Sequence, residues 1–258
     1  VIFVLFATIL CGATVFVVRD AVLAGQRLPL VGFDGVGVLV GFVIFTLGTV
    51  ALGSAFALSL IASLLLHEFG HVTAFRMLGH HGARFRLVPL LNRQPVSDQP
   101  LRNQGDAFFV ALMGPAVSIA PMVLAYTLSM MLAARHPDIA AQFRVFAVTC
   151  ASLNFVFLLP FWPLDGGRCT RIFASTFWPN LAPALTVFMA AAFAAAAIRT
   201  GSVALMILAG VGAQSMFHSP ESKLEPLRSD VAMTAMSAYA FTLAAHFTGG
   251  WLLLSQYL

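Results

Sequence analysis

The sequence predicts an all-α polytopic membrane protein with about 6–8 transmembrane helices, and three observations make the prediction. Of its 258 residues, 60% are hydrophobic and 9% are charged, whereas a soluble domain carries roughly 25% charged residues. The mean hydropathy is +0.92. Finally, the Arg, Lys, Asp and Glu residues are concentrated in short stretches between long apolar runs, the arrangement expected of several membrane crossings.

A helix crosses the hydrocarbon core with about 20 residues. On that ruler the spans are 1–18, 36–52, 54–79, 107–134, 145–163, 181–198, 202–217 and 232–258. The opening run is read as a span rather than a signal-peptide core, because no small-residue cleavage pattern follows it. The apolar stretch over 36–79 is too long for one crossing and is split between Gly53 and Ser54, which implies a tight hairpin. Three regions result: N-terminal spans over 1–53, a central region over 54–171 and C-terminal spans over 172–258.

The net charge of +4 does not point to nucleic acid, because the Arg residues lie in connections between apolar runs. Alternate connections hold Arg19 and Arg27, then Arg84, Arg86, Arg93 and Arg102, then Arg168 and Arg171, then Lys223 and Arg228. The opposite set holds Arg135, Arg144 and Arg199, so the first set is expected on the cytoplasmic side. The longest polar connection lies between Gly79 and Asp106. Its middle, 84–91, mixes Arg with Phe, Leu and Val around Pro89, which suits a strand or re-entrant loop at the membrane interface, with an ordinary cytoplasmic loop as the alternative. Cys11, Cys150 and Cys169 are odd in number and lack metal-site spacing.

Chemistry enters with HEFGH at 67–71. His residues at i and i+4 share one helical face, so His67 and His71 can reach one cation. Glu68, beside the first ligand, can approach the coordination position where a water is activated. HExxH also arises by chance in soluble helices. Here it follows the apolar run 55–66, and three ionisable groups in five residues at membrane depth are costly enough to imply function. A tetrahedral catalytic site needs a third protein ligand. Among ten acidic residues, Asp165 is the leading candidate, because Pro163 and Gly166–Gly167 let the backbone turn its carboxylate inward. Asp20, Asp98, Asp106 and Asp230 sit in polar stretches where solvated charge is the ordinary explanation.

HEFGH, then Gly114–Pro115 in ALMGPAVS, then PLDGGR resembles the site-2 protease family of intramembrane zinc metalloproteases. The resemblance runs from about Ser54 to Arg171. It implies a three-helix core, a Zn2+ site of His67, His71 and Asp165, and Glu68 as general base. Family members commonly carry an Asn three residues before the Pro ahead of LDG. Here that position is Phe157, in FLLP. Asn154, one turn earlier on roughly the same face, is the candidate substitute for substrate or oxyanion binding, with polar helix packing as the alternative. Gly114–Pro115 is a kink or close-packing site first. His80 and His81 are expected to be solvated, and His246 to be a hydrogen-bonded packing residue.

The expected function is hydrolysis of peptide bonds in membrane-spanning protein substrates, with an extended substrate pairing along 84–91. The expected partners are the lipid bilayer, the transmembrane substrate and a membrane regulator or assembly partner, with no nucleic acid. The expected location is the bacterial inner membrane, with the active site opening toward the cytoplasm. The alternative is a non-proteolytic, metalloprotease-like subunit of a larger assembly. A metal transporter would need more ionisable residues at mid-depth than His246 provides.

Overall fold

Residues 2–23, 29–31, 35–86, 96–217 and 224–257 are described by a computed structural model, and every structural statement refers to them. In chain order they form α1 (Ile2–Leu23), β1 (Leu30–Val31), α2 (Gly35–Leu52), α3 (Ser54–Met77), β2 (Phe85–Arg86), α4 (Gln104–Leu132), α5 (Pro137–Phe157), α6 (Asp165–Phe177), α7 (Leu181–Thr200), α8 (Val203–Phe217) and α9 (Ser229–Tyr257). The chain is thus an all-α polytopic membrane protein. Among the described residues, α1, α3, α4, α5 and α7 are long and apolar enough to cross a membrane, and α2 and α8 are shorter apolar helices. The 29-residue α9 is as long as α4 but is interspersed with Ser, Thr and His.

The hairpin expected between Gly53 and Ser54 is present. Gly53 separates α2 from α3 with φ of 91°, a left-handed conformation that a side chain would disfavour. The two helices then fold against each other, with Gly48 facing Ala57. Helix α4 is the hub and packs on α1, α3, α5, α6 and α9. Its contacts depend on small residues that let backbones approach closely. At Gly70 of α3 a Cβ would run into the backbone of Met113 and Gly114. On α9, Gly249 packs on Met122 and Ala151, and the Tyr126 hydroxyl donates to its carbonyl. Large apolar side chains such as Ile2, Phe3, Leu5 and Phe6 of α1 point outward, as lipid-facing residues do.

Several expectations change. Helix α5 begins at Pro137 rather than at 145, because Pro at the first helical position is preset for helix geometry. The stretch after 163, expected as a loop, is the 13-residue helix α6. A hydropathy reading passes over α6 because it is short and two-sided: Cys169, Ile172 and Phe173 are buried while Arg168 is exposed. Asp106 is buried in the first turn of α4, where its side chain accepts from Arg102 and its N–H donates to Asn103 Oδ1. His80, expected in solvent, is also buried. It packs against the Phe75 ring, with Nδ1 2.8 Å from Ser97 Oγ. His81 is exposed as expected.

Within the predicted strand, Phe85–Arg86 forms β2 and pairs in parallel with β1, Leu30 opposite Phe85 and Val31 opposite Arg86. The rest of that stretch, 87–91, lies outside the described residues, as do Arg27, Arg93 and residues 218–223 of the predicted connection at 218–230.

Candidate metal centre

Helix α3 presents His67, Glu68 and His71 on its inner side, all buried. The apolar run before them holds the helix among its neighbours, and the i, i+4 spacing brings the two imidazoles together: Nε2 to Nε2 is 3.0 Å. The third member arrives from α6. Helix α5 ends at Phe157, and the turn that follows is tied down by Leu158 N–H to Asn154 O (3.0 Å), Trp162 N–H to Ser215 Oγ (2.9 Å) and Tyr239 Oη to Leu158 O (2.5 Å). Asp165 then opens α6. A Cβ on Gly166 would run into the Leu158 carbonyl, and one on Gly167 into that of Phe161. The paired glycines therefore let α6 start directly against the turn, which points Asp165 at the histidines. Its Oδ2 lies 3.1 Å from His67 Nε2 and 3.3 Å from His71 Nε2.

The second nitrogens decide what this triangle can hold. His67 Nδ1 is 2.8 Å from Asn154 Oδ1, and His71 Nδ1 is 2.8 Å from the Val110 carbonyl. Both partners are acceptors, so each Nδ1 carries a proton and each Nε2 faces inward, the nitrogen through which a neutral ring would bind a metal. The Asn154 amide cannot turn the other way, because its Nδ2 donates to Cys150 O at 2.8 Å. With both rings neutral, two imidazole lone pairs and a carboxylate oxygen converge, a donor set that a cation satisfies. A tetrahedral ion with bonds of about 2.0–2.1 Å separates its ligands by about 3.3–3.4 Å. The observed edges of 3.0, 3.1 and 3.3 Å are close to that, and these three residues form a group able to hold a metal ion.

Gly114 of α4 makes room for the histidines. A Cβ there would lie 2.7 Å from His71 Nε2 and 3.0 Å from His67 Cε1. The Gly of the GP pair is thus a close-packing residue against the candidate ligands, as the sequence suggests, and Pro115 receives His246 Nε2 at 2.9 Å through its carbonyl. His246 is buried, in keeping with its expected packing role. Gly114→Ala is expected to abolish stoichiometric zinc binding while helical content by circular dichroism is retained. Zinc at wild-type level would refute the packing argument.

Phe157 stacks on the His67 ring, with centroids 4.3 Å apart and planes at 25°. Asn154 has both ends of its amide engaged, one by His67 and one by the α5 backbone. Its contacts are those of a residue that orients a ligand. Asn154→Leu is therefore expected to weaken zinc affinity by about 10–100-fold, measured by competition with a chromophoric chelator.

Arg86 of β2 is the member of the site that residue spacing left unassigned. Its Nε donates to Glu68 Oε1 at 2.6 Å and its Nη2 to Oε2 at 3.1 Å. Farther out, hydrogen bonding to Arg84 holds the exposed Asp98 carboxyl below its usual range.

No family model matches the chain. Three curated proteins are similar to it. It is 32% identical over 111 residues to stage IV sporulation protein FB of Bacillus subtilis, which covers 43% of this chain and 37% of that protein. It is 31% identical over 163 residues to "Putative zinc metalloprotease Rip3" of Mycobacterium tuberculosis strains Erdman and H37Rv, covering 62% of this chain and 39% of theirs. The matched stretch is thus well under half the length of these relatives. These relatives are site-2 protease family members, in line with the resemblance that HEFGH, GP and PLDGGR carry.

Proposed function

We propose that this chain is an intramembrane zinc metalloprotease that hydrolyses peptide bonds of membrane-spanning proteins. The observation that carries the reading is the convergence of His67 Nε2, His71 Nε2 and Asp165 Oδ2 beside a buried Glu68. Zinc held by these three residues would supply Lewis acidity toward a carbonyl and an acidified water. Glu68, one residue from the first ligand, takes the proton of the attacking water on a carboxylate oxygen and passes it to the leaving nitrogen. Asn154 fixes the tautomer of His67, and the Val110 carbonyl does the same for His71. Burial of the site limits competing water.

A transmembrane helix hides its carbonyls in hydrogen bonds, so the substrate must reach this site locally extended. The β1–β2 pair next to Glu68 offers edges to which such a segment could add as a strand. The charge distribution supports an orientation with these strands on the cytoplasmic side of a bacterial inner membrane. The partners are a transmembrane substrate, the bilayer and a membrane regulator.

One observation favours a second reading, a non-proteolytic subunit. Phe157 stands where the resemblance leads one to expect an amide, and the Asn154 amide is fully engaged, so an oxyanion would rely on other donors. Reconstitution in liposomes with a panel of single-span substrates separates the two. The protease reading predicts cleavage that a zinc chelator removes and added zinc restores. No cleavage of any substrate, with a membrane partner co-purifying stoichiometrically, supports the subunit instead.

A further inference from the structure

A general base must be aimed as well as present. The Glu68 side chain is fully enclosed, and among the described residues both hydrogen bonds to its carboxylate come from Arg86, whose own side chain is 18% exposed. The two bonds run in parallel from Nε to one oxygen and from Nη2 to the other, which fixes the plane of the carboxylate as well as its position. Arg86 is itself held in place. Next to it, the Phe85 N–H donates to Pro29 O at 2.9 Å and the Arg84 N–H to Val96 O at 2.7 Å. Phe85 packs on Val72, Ala83 and Val96, and Val72 follows His71 directly in α3. The guanidinium therefore projects from a backbone anchored to the same helix that carries the histidines.

We infer that Arg86 is the positioning residue for Glu68: its fork holds the carboxylate in the orientation the proton transfer needs. The inference rests on Glu68 being the general base. A lysine offers a point charge on a flexible stem and cannot reproduce the two parallel bonds. The lone pairs of Glu68 that Arg86 does not use remain available to a water.

The test uses the full chain loaded with cobalt(II) or zinc, in wild type, Arg86→Gln, Arg86→Lys, Glu68→Gln and the Arg86→Gln/Glu68→Gln double variant. The visible absorption of bound cobalt reports its surroundings without requiring turnover. Arg86→Gln is expected to bind a full complement of metal and to shift that absorption, and the shift should vanish when the Glu68→Gln background is taken as reference. With a cleavable membrane substrate, Arg86→Gln should lower kcat by about a hundredfold at unchanged KM, the size of effect a 1 Å misplacement produces, with Arg86→Lys between it and wild type. An unshifted spectrum, a shift that persists in the Glu68→Gln background, or a kcat equal to or above wild type overturns the inference. If wild type cleaves nothing, the protease reading fails by itself, and the cobalt spectra still decide whether Arg86 sets the place of Glu68.

Discussion

Glu68→Gln is expected to remove between about a hundredfold and ten-thousandfold of cleavage while leaving zinc at its wild-type content. The substitution keeps size and shape but deletes the oxygen pair that can accept and return a proton. Metal content should not change, because Glu68 stands outside the triangle of His67, His71 and Asp165. An amide also places an NH2 group against one of the Arg86 donors, so some loss of thermal stability is expected alongside the loss of turnover. Cleavage measured in proteoliposomes, with zinc quantified on the same preparation, checks both halves. A variant that cleaves at the wild-type rate would take the base role from Glu68.

Asp165→Ala should act on the metal itself. Asp165 supplies the one negative charge among the three converging groups, and its side chain is 7% exposed. With it, a divalent ion in the pocket leaves one net positive charge; without it, two charges must be buried with only neutral imidazoles to face them, which is far costlier. The expected result is purified protein without stoichiometric zinc and without cleavage. Asp165→Asn keeps the volume but not the charge and should fall in the same direction. Zinc at wild-type level in Asp165→Ala would remove Asp165 from the ligand set and leave the carboxylate's approach to both histidines without a purpose.

What could be read from the sequence followed from rules that act over a few residues. The i, i+4 spacing placed His67 and His71 on one face. Gly53 was legible as the break in an apolar stretch too long to cross once. Asp165 stood out because few acids exist and because two glycines follow it, although the collision of a Gly166 or Gly167 Cβ with the preceding turn is visible only in three dimensions. The rest depends on pairs distant in the chain. Arg86 meets Glu68 because β2 is held between β1 and Val96, and no periodicity links a connection to a helix. Asn154 was found by its face on α5, yet its partner is fixed by how α5 packs on α3. Helix α6 escaped a reading keyed to long apolar runs because its polar side is as strong as its buried one. His80 was placed in solvent on the strength of its polar neighbours; the Phe75 ring and Ser97 enclose it instead.

The proposed catalytic zinc site consists of two imidazole nitrogens and one carboxylate oxygen. X-ray absorption at the zinc edge of the purified wild-type protein tests it most directly. A four-coordinate ion with two imidazoles and with oxygen ligands, all at about 2.0–2.2 Å, is expected. A sulfur ligand at about 2.3 Å, or an ion whose spectrum is unchanged in His67→Ala, would contradict it.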